Sequence, residues 1–102
     1  GRDAAGERLR AMLAAIGADP AALVAVDRPT TTKTRVVARA QQVVRIDEED
    51  DADLDDAGAE RVLAAVRGAL EGATALVLED YNKGVLRPAV IERSIALARA
   101  AG

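Results

Sequence analysis

Three cations, Lys33, Arg35 and Arg45, fall within two short runs rich in Thr, Val and Ile, Thr31 to Ala38 and Gln42 to Asp47, separated by a few residues around Arg39-Ala40-Gln41. Runs of this kind pair as a β-hairpin. A three-residue loop pairs Val36 with Val44 and Thr34 with Ile46, which gathers the apolar partners on one face and Lys33, Arg35, Arg45 and Asp47 on the other. A two-residue loop instead pairs Arg35 with Val44 and Thr34 with Arg45 and scatters the charges, so the pattern favours the longer loop. Cations clustered on one face repel unless Asp47 or an anionic ligand offsets them, and a phosphate is the natural ligand. The same residues are equally well explained as the solvated face of an edge hairpin.

The second candidate is Glu79-Asp80-Tyr81-Asn82-Lys83-Gly84, which follows the apolar run Leu76-Val77-Leu78 and leads to Pro88 and an apolar-periodic segment from Val90 to Ala100. The run reads as a buried parallel strand, and Pro88 suits the first position of a helix. Ligands of open α/β sheets bind beyond the carboxyl ends of the strands. There, Asp80 is suited to orienting a hydroxyl or holding a metal-bound water, and Lys83 to neutralising a phosphate with help from the next helix's amino end. The alternative is a polar loop in which Asp80 caps a turn and Gly84 relieves backbone strain.

The acidic stretch from Asp47 to Asp56 carries eight of the chain's 17 acids and no Lys or Arg. As a calcium loop starting at Asp51 it places Asp56 where Gly is needed and Val62 where the bidentate Glu belongs, so it fails. A solvated loop capping a helix that begins near Ala57 is the better account. No GxxxxGK[ST] or GxGxxG phosphate loop occurs.

The elements that position these groups follow from periodicity. Ala5, Leu9, Met12, Leu13 and Ile16 recur at helical spacing, with Asp3 placed to cap the start and Gly17 to end it. Leu23-Val24-Ala25-Val26, after Asp19-Pro20, reads as a short buried strand. Ala59, Val62, Leu63, Val66 and Leu70 define a second helix stopped by Gly72, and a parallel partner for Leu76-Val77-Leu78 is expected beyond Gly102.

Composition bounds what such elements can do. The chain has 102 residues, half of them apolar but dominated by Ala, with Tyr81 the only aromatic. A chain this short buries only about 60 to 68% of its unfolded surface, so covering segments are expected to be missing. The absence of Cys and His removes disulfides, thiolate metal sites and Ser-His catalysis. Outside the acidic stretch 14 bases meet nine acids, a surplus suited to phosphates. Without stacking aromatics a nucleic-acid partner is not expected. No apolar run reaches the roughly 18 to 20 residues of a membrane span, and the first residues lack the apolar core of a signal peptide, so no membrane partner and a cytoplasmic location are expected.

Arg28 to Asp47, RPTTTKTRVVARAQQVVRID, and LEDYNKGVL from Leu78 resemble the kinase domain of D-glycero-β-D-manno-heptose 7-phosphate kinases, members of the ribokinase-like (PfkB) family. The opening GRDAAGERLRAMLAAIGADP is similar to that family's helix, where a second acidic residue more often stands at Arg2. The resemblance implies an α/β chain that is an internal segment, residues 1–102, of one ribokinase-like three-layer α/β/α domain, contributing a β-hairpin and a strand-loop-helix unit. It implies transfer of the ATP γ-phosphoryl to the anomeric hydroxyl of a sugar phosphate, assisted by Mg2+. Lys33, Arg35 and Arg45 would then face the phosphorylated sugar, and Asp80, Tyr81, Lys83 and Gly84 would border it. The family's Gly-rich sugar-binding segment and its GAGD-type motif, which carries the catalytic base, are absent from these residues, so the segment alone is expected to be inactive. Family members occur fused to a nucleotidyltransferase domain, and an unpaired hairpin edge invites a homodimer. Another PfkB sugar kinase, or a non-catalytic α/β module that binds or assembles through its hairpin, are the alternatives.

Overall fold

The computed structural model describes residues 1–102, which sort into two compact units, Gly1–Ala18 with Ala25–Asp50 and Asp19–Val24 with Asp51–Gly102. No helix is long and apolar enough to cross a membrane.

The first unit holds helix α1 (Ala4–Ala15) and strands β1 (Thr32–Ala38) and β2 (Gln41–Glu48). As expected, Asp3 is the N-cap of α1: its Oδ1 accepts from Gly6 N at 2.7 Å, satisfying one of the helix's orphan donors. Its Oδ2 accepts from Thr30 N at 2.8 Å, so the cap also fastens the chain just before β1. These two backbone donors, Thr30 first, lower the Asp3 carboxyl from 3.8 to about 2. Beyond this junction α1 carries little tertiary burden, for Leu9, Met12 and Ile16 are exposed.

Strands β1 and β2 form an antiparallel two-stranded sheet in which Thr34 opposes Ile46, Arg35 opposes Arg45 and Val36 opposes Val44. The expected register is therefore present, but the expected three-residue loop is not. Val37 pairs with Gln42 and Ala38 with Gln41, leaving a two-residue turn at Arg39-Ala40 and an unpaired Val43. Both turn residues have positive φ, 49° and 63°, the sense that matches the right-handed twist of the strands. The bulge at Val43 supplies the extra residue that restores the apolar pairing.

The second unit is built on helices α2 (Asp56–Ala69) and α3 (Pro88–Ala101). Leu63 and Val90, each 1% exposed, pack with Ala59 and draw in Val62, Leu86 and Leu97. Asp55, at the end of the acidic stretch, caps α2 through Gly58 N at 2.7 Å, and Pro88 opens α3. Gly72 follows α2 at φ +77°. A 3-10 turn at Pro20–Ala22 rests against α2.

Two expected strands are absent. Leu23 to Val26 and Leu76 to Leu78 are irregular, and Val77 is 84% exposed rather than buried. A parallel strand is defined by its ladder, and no segment of this chain offers one to either run. The strand-loop-helix unit is thus a loop followed by a helix, and the only sheet is the hairpin.

Candidate functional site

Strand alternation brings Lys33, Arg35, Arg45 and Asp47 onto one face of the hairpin, as the sequence suggested. Asp47 organises two of the cations. Its Oδ2 accepts from Lys33 Nζ at 2.9 Å and from Arg45 Nη2 at 3.0 Å, and its Oδ1 accepts from Arg45 Nε at 2.7 Å. Lys33 also donates to Glu49 Oε2 at 3.2 Å. Hydrogen bonds from Arg45 and then Lys33 lower the Asp47 carboxyl from 3.8 to about 2, while Asp47 raises both cations, with Glu49 adding to the rise at Lys33. The acidic stretch therefore serves this face at its start, and Asp47 is an internal counterion for Lys33 and Arg45.

Arg35 stands differently. It lies directly across the ladder from Arg45 and is exposed, and no carboxylate or other group pairs with it. Cross-strand Cβ atoms sit about 4.5–5.5 Å apart, and like charges in that position are mutually destabilising. Chemically the face is a guanidinium without a counterion beside one already oriented by a carboxylate, an arrangement able to receive an anion from solvent.

In the second unit the residues from Glu79 to Gly84 form a polar loop. Asp80 Oδ1 accepts from Asn82 N at 2.8 Å, an Asx turn that supports Asn82 at φ 53°. Tyr81, 75% exposed, donates its hydroxyl to Glu79 Oε1 at 2.9 Å. Lys83 is half-buried and has a partner of its own. Gly84, at φ +67°, is constrained by close approach: a Cβ there would fall 2.0 Å from the Ala52 carbonyl oxygen, and its own carbonyl accepts from Leu54 N at 2.8 Å. Asp80, Tyr81 and Lys83 line, with Leu78 and Val85, an open groove of about 410 Å³.

The anchoring residue that sequence reasoning missed is Arg87. It precedes α3, donates from Nη1 to the Leu54 carbonyl at 2.7 Å and pairs through Nη2 with Asp56, so it ties the start of α3 to the start of α2. A second tie, Glu60 with Arg93, includes a 3.0 Å bond from Arg93 Nη2. Arg93 lowers the Glu60 carboxyl, and Glu60 raises Arg93. No periodic signal marks Arg87, which precedes the expected segment from Val90, whereas Glu60 is adjacent to Ala59 in an expected apolar stripe. No group of three acidic side chains converges in this chain.

The chain is similar to a segment of bifunctional protein HldE. It is 37% identical to HldE of Wolinella succinogenes over 97% of this chain, 42% to that of Mesorhizobium japonicum and 43% to that of Caulobacter vibrioides, both over its full length. In each case the chain spans about a fifth, 21%, of the HldE relative. No protein-family model matches the chain, and no solved structure does.

Proposed function

We propose that this chain is a segment of an ATP-dependent sugar kinase of the ribokinase-like type, acting on a sugar phosphate, heptose 7-phosphate at its anomeric hydroxyl. The observation that carries the reading is the likeness to HldE along the whole chain, at 37% to 43% identity. The name bifunctional protein HldE supports a second catalytic domain, a nucleotidyltransferase, in the longer cytoplasmic protein, and the three-layer fold belongs to that longer protein. The hairpin's cationic face suits the substrate's phosphate. The groove lined by Asp80, Tyr81 and Lys83, with Gly84 in the same loop, suits the border of the sugar site.

Positioning and charge stabilisation together drive phosphoryl transfer. This chain's residues supply one part, an electrostatic seat for the acceptor's phosphate. No group of three or more acidic side chains converges here and no glycine-rich phosphate loop is present, so this reading assigns ATP and Mg2+ to the longer protein. ATP consumption by the full-length protein with heptose 7-phosphate tests the reading. Turnover by the full-length protein and silence from residues 1–102 are expected; an inactive full-length protein on every sugar phosphate would reject it.

A second reading rests on the other hairpin face, where Val36, Val44 and Ile46 are 44%, 47% and 58% exposed. Assembly through this face as a homodimer is its content. Light scattering at rising concentration decides it, a persistent monomer counting against it.

A further inference from the structure

The three hairpin cations are not equivalent. Lys33 and Arg45 are both engaged by Asp47, with Glu49 adding to Lys33, whereas Arg35 opposes Arg45 with no counterion. Resting on the kinase reading, we infer that Arg35 is the residue that reads the acceptor's phosphate monoester and sets the preference for a phosphorylated over an unphosphorylated sugar, while Lys33 and Arg45 act through Asp47 to hold the ribbon in shape.

Two observations carry the assignment. Asp47 accepts from Lys33 and Arg45, and Glu49 accepts from Lys33, so two carboxylates balance these two cations. An incoming dianion thus finds the available positive charge at Arg35, whose planar fork matches two phosphate oxygens. The placement also removes a penalty: an anion bound at Arg35 screens its repulsion from Arg45 across the ladder. Binding therefore stabilises the pairing of β1 with β2 at the middle of the ribbon, and ligand and hairpin order are linked.

The test uses the full-length protein with heptose 7-phosphate, unphosphorylated heptose and inorganic phosphate as titrants in calorimetry. Arg35→Gln is expected to weaken heptose 7-phosphate by about ten- to a hundredfold, the loss of a hydrogen-bonded charged contact, and to leave unphosphorylated heptose unmoved. Arg35→Lys should recover part of the loss. Lys33→Gln should lower thermal stability more than it lowers phosphate affinity. The Arg35 side chain is exposed and makes no hydrogen bond, so its replacement leaves the fold intact. If wild type binds heptose 7-phosphate and Arg35→Gln binds it equally well, or loses both sugars alike, the assignment of Arg35 falls and the kinase reading survives. If wild type binds neither heptose 7-phosphate nor inorganic phosphate, both fall.

Discussion

The hairpin and the helix pair are held by different forces. In α2 and α3 a few side chains vanish from solvent, Leu63 and Val90 at 1% exposure, and two ion pairs trim the edges. In β1 and β2 every residue except Thr32 is exposed, so the ribbon rests on its ladder, its turn and the charges gathered by Asp47. An isolated two-stranded ribbon is marginal in water. The contrast teaches that the cation-bearing surface of this chain lies where packing contributes least, and its geometry is set by electrostatics that a ligand can alter.

The sharpest way to break that contrast is truncation in each region. Leu63→Ala is expected to cost about 2–5 kcal/mol in urea unfolding. Val44→Ala, at a position 47% exposed, should cost well under half as much; equal losses would show the hairpin to be as packed as the helices. Next in size, Gly84→Ala forces a Cβ into the Ala52 carbonyl at a left-handed φ of +67°. A loss of at least about 1–2 kcal/mol is expected for the backbone alone, read as a lowered Tm. In the opposite direction, Arg39→Asn with Ala40→Gly places residues tolerant of positive φ in the turn and should stabilise the hairpin by about 1 kcal/mol or more.

The pH dependence gives a smaller effect with a definite sign. Asp47 and Asp3 take up protons near 3.8 when unfolded and near 2 when folded. Their stabilisation is therefore complete above pH 3.8 and lost as pH falls toward 2. Asp47→Asn should flatten this acid limb of the hairpin, followed by circular dichroism of the ribbon, while the α2–α3 core is unaffected. The smallest change is expected from Glu60→Gln, an exposed ion-pair partner whose loss should lie near the detection limit of thermal melts.

What the sequence made legible follows local chemistry. Asp3 and Pro88 mark helix starts because orphan N–H groups and a fixed φ need those residue types, and the acidic loop read as capping the second helix does so through Asp55. The pairing of Val36 with Val44 was legible because apolar residues must share a face. The turn was not, since Arg39-Ala40 carries none of the Asn-Gly signal that normally announces positive φ. Leu23 to Val26 and Leu76 to Leu78 misled because an apolar run names a strand only when a partner exists to complete its ladder. At the site, the grouping of Lys33, Arg35 and Arg45 was visible from alternation. Which of them Asp47 would engage depended on side-chain reach, as did the span of Arg87 to Leu54, 33 residues away.

The unpaired Val43 also says something about how this stretch tolerates length change. Because the pairs on either side of it, Val37 with Gln42 and Val36 with Val44, are already in place, a chain lacking that single residue retains every cross-strand partner. Homologous hairpins one residue shorter at this point can therefore present the same cations on the same side, and a one-residue gap in an alignment here marks a change in curvature rather than a change of surface.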